Sequence, residues 1–383
     1  MGPGPAGAPE MRGPWRTILW DRNAGVHVEW RTAPPLRLHA PPLHRADCNT
    51  PVLTEGDRTL AMPAHFVPIG HSHRRVGHPP FRFAAPGEPV RIVDDPDPGA
   101  GKWIESLWRS PDGALYGWYH CEAPAPCPRT IAAYRIGALV SRDDGASWHD
   151  LGPVLAPQPD ELDCTFDNGW FAGGFGDFTV IPDRAGTFFL IHLTSYHALD
   201  AAQGIVVARY PIRDRDAPAA ALEWWTADGW QPRHRSLPQP IIRPARGWRH
   251  ADPDAHWGPA VHENSDTGGF VMLLNRTYDG DRTLTQRAVE VSFNRDAGDP
   301  GGWTRPRVLV RGAIWYPEAI APLGSDRRGG GTMRFFVSGF SAWEIRFHRG
   351  PPPAGPEPEP AAFDEADLAR LFGPRQPDGG FGT

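Results

Sequence analysis

WIESLWRSPDGALYGWYH, residues 103–120, reads as two β-strands joined by the turn SPDG at 110–113. Aromatic and β-branched residues fill both arms, and a Pro-Asp-Gly turn separates them, as a hairpin requires. One carboxylate, Glu105, stands in the first arm between Ile104 and Ser106. A charged group inside a buried strand is costly unless it is paired or faces water or a ligand. The position of Glu105 therefore needs a cause.

The hairpin repeats along the chain. Residues 47–65 give DCNTPVLT, the turn EGD and RTLAMPAH, and residues 176–196 give GDFTVI, PDRAG and TFFLIHLTSY. Residues 258–277 give GPAVHE, NSDTG and GFVMLLNRT, and residues 315–339 give WYPEAIAPL, a Gly-rich turn and TMRFFVSG. Third strands follow in AYRIGALVS (133–141), GIVVARY (204–210) and RAVEVSF (287–293). The first of these runs into SRDDGASW, 141–148, an Asp-box pattern in which Asp bonds turn amides, Gly takes an unusual backbone angle and Trp packs between sheets. A degenerate relative is SFNRDAGDPGGW, 292–303.

Five such units predict an all-β fold, a five-bladed β-propeller with four-stranded antiparallel blades around a central channel. The expected organisation is a disordered tail over 1–14, the propeller over 15–349, and a Pro-rich linker with a short C-terminal helix over 350–383. VHVEW, 26–30, is the expected strand that closes the ring in the last blade, and residues 211–256 form a Trp/Arg/Pro-rich insertion.

Composition agrees with a β-rich, turn-rich chain of 383 residues: 16 Trp, 18 Phe, 45 Pro and 43 Gly. The net charge of −6, with no basic stripe carrying interleaved aromatics, argues against nucleic acid as a partner. No apolar run reaches the roughly 20 residues of a membrane span, and the N-terminus lacks a secretory apolar core, so a cytoplasmic location is expected. Cys48, Cys121, Cys127 and Cys164 are read first as free thiols; Cys121 and Cys127, which bracket EAPAP and could close a small disulfide loop, are the alternative.

In a propeller the first strand of each blade lines the channel, which gives Glu105 its cause. Matching positions in other blades are Asp47, Asp177, Glu318 and either His262 or Glu263; only one of the last two can face inward, and His262 is favoured. Like charges on one ring repel and raise pKa values, a cost associated with catalysis or cation binding. Calcium held by the channel acids with His262 is one such use.

The motifs DCNTPVL, GGFGDFTV and the Asp-box element resemble those of the five-bladed propeller glycoside hydrolases of families 43, 32, 68 and 117, over roughly 40–348. The chain is also similar to a group of proteins with motifs akin to WIESLW, GWYH, WGPAVH and WYPEAI. The wider resemblance implies Asp47 as base or nucleophile, Asp177 as stabiliser and a glutamate as general acid, for which Glu105, Glu263 and Glu318 all qualify. Substrate contacts are expected from Asn49, Arg74, His120, Trp170, Trp257, His262 and Tyr316, with His71 and His73 at the rim. The expected activity is glycoside hydrolysis of a carbohydrate substrate. The alternatives are a propeller that binds a sugar or other small ligand without catalysis, or one recruited for a lyase or cyclase step in small-molecule biosynthesis.

Overall fold

The computed structural model describes residues 12–40, 45–65, 71–83, 87–277, 286–364 and 366–367. Its regular structure is β-strand with short 3-10 turns. The strands pair as successive antiparallel meanders. The first runs through Val52–Glu55, Arg58–Ala61 and His71–His78. The second takes Gly101–Arg109, Leu115–Pro124, Ala132–Ser141 and Ser147–Leu155. The third takes Phe171–Pro182, Phe188–Ser195 and Gly204–Pro211, extended by Glu223–Thr226 and Gly229–Pro232. The fourth takes His256–Asn264, Gly269–Arg276, Ala288–Asn294 and Arg307–Arg311.

The last meander begins with Pro317–Ile320, Met333–Val337 and Phe340–Arg349 and is completed from the other end of the chain. Val26–Arg37 pairs antiparallel with Phe340–Arg349, and Arg16–Asp21 pairs outside it. The expected closing strand is therefore present, with one further strand beyond it. Among the described residues the units are not uniform: His71–His78 of the first also pairs with the short strands Ala64–His65, Arg82–Phe83 and Glu88–Pro89, and the third and last run to five strands.

Apolar side chains pack each meander on the next. Leu60 and Met62 meet Ile104, Leu115 and Trp148; Trp118 meets Phe178 and Phe189; Ile181 and Leu190 meet Val261 and Met272; Val271 and Leu273 meet Phe335 and Ile345. Val52 and Ala61 then meet Ile320 and Phe336, so the last meander packs on the first. This is the arrangement of a β-propeller, and it explains why most strands are buried on both faces.

The Asp-box turn forms as expected. The Asp143 carboxylate accepts from Ser147 N at 2.9 Å and Ser147 Oγ at 2.6 Å, while Trp148 is wholly buried and donates to Gly145 O at 3.1 Å.

Several expectations are corrected. The expected rim residues His71 and His73 and the expected substrate contact Arg74 lie in a paired strand, His71–His78. Residues 12–14 are docked: Arg12 Nε donates to Glu344 Oε1 at 3.0 Å, and Gly13 N to Thr32 O at 3.2 Å. Residues 350–360 carry no regular secondary structure, and the chain docks again just after them. Ala361–Ala362 pairs with Val310–Arg311, and Phe363 stacks on Trp343 at 4.3 Å. The C-terminal helix expected over 363–372 lies mostly outside the described residues. The disulfide joins Cys127 to Cys164, and Cys121 is a buried free thiol. Cys121 faces the core beside Tyr119 and Leu139.

Candidate active site

The first strands of the meanders are bonded to one another at the axis. Asn49 Nδ2 lies 3.3 Å from both Phe178 O and Pro259 O. Thr50 N donates to Glu318 Oε2 at 3.0 Å, Phe178 N to Glu105 Oε2 at 3.1 Å, and Val180 N to Ser106 Oγ at 3.0 Å. The site is built on this frame.

Local irregularities aim its side chains. The register of Gly101–Arg109 slips between Ile104 and Ser106, at Glu105, and that of Phe171–Pro182 between Gly176 and Phe178, at Asp177. A third slip falls between Trp257 and Ala260. A β-bulge adds a residue without a ladder partner and redirects its side chain. Glu105 and Asp177 are thereby released from the alternation that would send them between sheets. Asp177 also holds φ +44°, and Tyr316 φ +55°, in the left-handed region.

Asp177 is clasped by tyrosines. Tyr196 Oη donates to Asp177 Oδ2 in a short contact, and Tyr316 Oη donates to Oδ1 at 3.2 Å. Asp177 N donates to His120 Nδ1 at 3.1 Å, so the neutral imidazole carries its hydrogen on Nε2. Gly176 makes room for this contact, since a Cβ there would fall 2.2 Å from His120 Cε1. His120 Nδ1 lies 3.8 Å from Glu105 Oε1, and Nε2 lies 3.6 Å from Glu122 Oε1. One ligand atom from each of Glu105, His120 and Asp177 falls within 4.8 Å of the others, a set able to hold a cation.

The electrostatics follow from this crowding. Burial, with added repulsion from Glu122 and Asp177, raises Asp47 to about 7 against the pull of Arg45 and His120. Asp47 nevertheless keeps an edge open to solvent. Burial and then Asp177 push Glu105 well above the carboxylate range, and burial does the same to Glu318. Asp177 is also raised by burial, although His120 and Tyr196 oppose it. Burial works against protonation of His120, but Glu122 and Asp177 outweigh it and raise its pKa.

The four carboxylates expected at the axis, Asp47, Glu105, Asp177 and Glu318, are therefore brought together. Of the expected substrate contacts, Tyr316 and His120 lie at the acids. Trp257 packs edge-on to Tyr316 at 5.3 Å and donates from Nε1 to Gln286 Oε1 at 3.0 Å. Trp170 is 60% exposed, next to Phe171 of the Tyr134–Tyr196 aromatic group.

Other expected residues are not at the site. Arg74 donates from Nε to Asp144 O at 2.9 Å, tying the first meander to the Asp-box turn. Asn49 spends its amide donors on backbone carbonyls and serves as a brace. Buried His262 is pushed down to about 3 and packs on Phe347 at 5.7 Å, without an ion pair to the acids. With Asn49 and Glu318 it lines an axial cavity of about 10 Å³, the size of one water. Glu263 pairs with Arg184 at 3.1 Å at the outer end of its strand. His73 Nε2 meets His65 Nε2 at 2.9 Å, while His71 is exposed.

Glu122 escaped the sequence reading. It follows His120 by two residues in one strand, and period-two alternation from His120 places it on the same face. Tyr196, at the end of its strand, also went unseen. A larger cavity of about 700 Å³ lies elsewhere, against the insertion, with Arg209, Leu222 and Arg233 in its walls. None of the axial acids lines it.

No family model matches the chain, and no curated protein matches it. Solved structures do. The native arabinanase of Bacillus subtilis aligns with a TM-score of 0.48 at 12% identity, covering 82% of this chain and 97% of the arabinanase. An exo-β-1,3-galactanase from Phanerochaete chrysosporium, solved with β-1,3-galactotriose, gives 0.47 at 10% identity, covering 82% of this chain and 63% of its own. This chain thus spans less than two thirds of the galactanase. A protein of unknown function from Dyadobacter fermentans gives 0.42 at 12% identity, covering 81% of this chain and 83% of its own.

Proposed function

We propose that the chain is a five-bladed propeller enzyme that cleaves glycosidic bonds with Asp47, Glu122 and Asp177. The observation that supports this most directly is the grouping of carboxylates in unequal environments around one partly exposed aspartate. Glycoside cleavage needs one carboxyl to protonate the departing oxygen and another to activate water or attack the anomeric carbon. Unequal surroundings divide those roles.

Asp47, half-ionised near pH 7, serves as base or nucleophile once deprotonated. Glu122, about a third exposed and beside His120 Nε2, is the proton donor; it reaches solvent where Glu105 and Glu318 are sealed in. Asp177, fixed by Tyr196 and Tyr316, stabilises the positive charge that develops on the sugar and does not move. Trp257 and Tyr316 offer ring faces and edges beside the acids for sugar packing.

The test is a screen of purified protein against aryl glycosides and arabino-, galacto- and xylo-oligosaccharides, with Asp47→Asn and Glu122→Gln beside it. Positioned acid–base groups contribute about 10²–10⁴-fold, so each variant is expected to lose activity on that scale. Turnover retained in Asp47→Asn overturns the assignment. Turnover retained in Glu122→Gln alone moves the proton donor to another residue.

A further inference from the structure

A second cluster of metal-ligating side chains stands on the closing sheet, away from the axial acids. His27 and Glu29 alternate along Val26–Arg37 on one face, while Val28 and Trp30 enter the core on the other. The register sets His348 of Phe340–Arg349 directly across from His27. The two imidazoles stack with centroids 4.9 Å apart and planes 23° apart. His348 Nε2 lies 3.0 Å from Glu29 Oε2, and one ligand atom from each of the three residues lies within 4.8 Å of the others.

An ion pair between Glu29 and His348 accounts for two of these groups and leaves His27 unexplained. Its ring is 7% exposed and is held by Gly350, whose carbonyl oxygen lies 2.8 Å from Nδ1. That carbonyl fixes the hydrogen on Nδ1 and leaves Nε2 with its lone pair. A ligating histidine is oriented in this way, by a carbonyl or carboxylate on its other nitrogen. A divalent cation among the three groups takes the lone pair of His27 Nε2 and meets the charge of Glu29.

We propose that His27, Glu29 and His348 form a binding site for a divalent first-row transition metal, with zinc the expected ion. Two imidazoles and one carboxylate are borderline donors that suit zinc in tetrahedral geometry with one position left open. Calcium is disfavoured, since it wants six or more oxygen ligands. The ion joins strands from opposite ends of the chain, Glu29 and His348 being 319 residues apart, and so clamps the sheet that closes the ring. It acts on the fold and takes no part in the chemistry proposed for Asp47.

The experiment is titration of zinc chloride into the EDTA-dialysed full chain at pH 7.5, read by calorimetry and melting temperature. Calcium chloride serves as the control, and His27→Gln and His348→Gln are run in parallel. The expected result is one zinc per chain and a rise of several degrees in Tm, both lost in His348→Gln and absent with calcium. His348 is the more exposed ring, which makes its substitution the milder one; cobalt(II) absorption in the visible gives a second readout of nitrogen ligation for either variant. No zinc heat and no Tm change in the parent overturn the proposal. Equal zinc binding in His348→Gln and the parent also overturns it, by placing the ion elsewhere, for instance at Glu105, His120 and Asp177.

Discussion

Burial and the neighbouring charge of Glu122 hold the Asp47 carboxyl at about 7 in the folded chain, against 3.8 for a free aspartate. An acid whose folded pKa is raised favours folding while it is protonated. Its contribution is fully present below about pH 4 and is lost as pH rises through 7. Asp47→Asn removes the penalty of burying the charge. The variant is therefore expected to melt higher than the parent at pH 8, with the gap closing toward pH 4. Parent and variant curves that superimpose across that range would mean Asp47 titrates as an ordinary surface group. The same group sets an expected rise in kcat/KM through about pH 7; a fall through that pH would instead mark Asp47 as the acid. Activity and stability pull against each other at this residue, as functional sites commonly require.

At the scale of the strand, bulges decide what reaches the axis. Repeated hairpins and their turns are legible because alternation and Pro/Gly/Asp chemistry are local, and inner-strand acids follow from that alignment. The bulges at Glu105 and Asp177 are invisible to a period-two reading, since one inserted residue changes the facing of everything after it. His262 is favoured over Glu263 because Glu263 leads into the polar turn ENSDTG; it does line the axial cavity, but it packs on Phe347 instead of joining the acids. Arg74 was misplaced because its strand, His71–His78, lacks the apolar pattern of the others and looks like a loop. Gly176 tests the bulge directly. A methyl there would fall on the His120 ring, and forcing atoms into a packed site costs about 1–3 kcal/mol. Gly176→Ala is expected to lower Tm and to reduce kcat more than KM, because His120 loses its bond from Asp177 N. A normal kcat with an unaltered Tm would show that the ring shifts freely and that His120 positions nothing.

Across the whole molecule, the ring closes where the two ends of the chain meet. VHVEW is readable in the sequence as the closing strand because the last unit lacks a fourth strand of its own. It did not reveal Arg16–Asp21 outside it or the return of Ala361–Ala362, since short polar-flanked segments carry no signal apart from the partner they dock on. Trp30 is the apolar anchor of this seam. It is 4% exposed and packs on Phe335 at 4.9 Å and Trp343 at 5.8 Å, both from the C-terminal strands. Truncating a buried tryptophan costs about 3–5 kcal/mol. If closure is part of one cooperative unit, Trp30→Ala shifts the midpoint of denaturant unfolding for the whole chain and leaves the m-value unchanged, with fluorescence and far-UV circular dichroism moving together. If the seam instead opens as an independent flap, the main transition stays where it was and an early, small step appears before it. That outcome would reduce Val26–Arg37 to an appendage and would remove the reason for a metal clamp at His27, Glu29 and His348. A shared midpoint shift would show that the seam and the meanders carrying the axial carboxylates unfold as one cooperative unit.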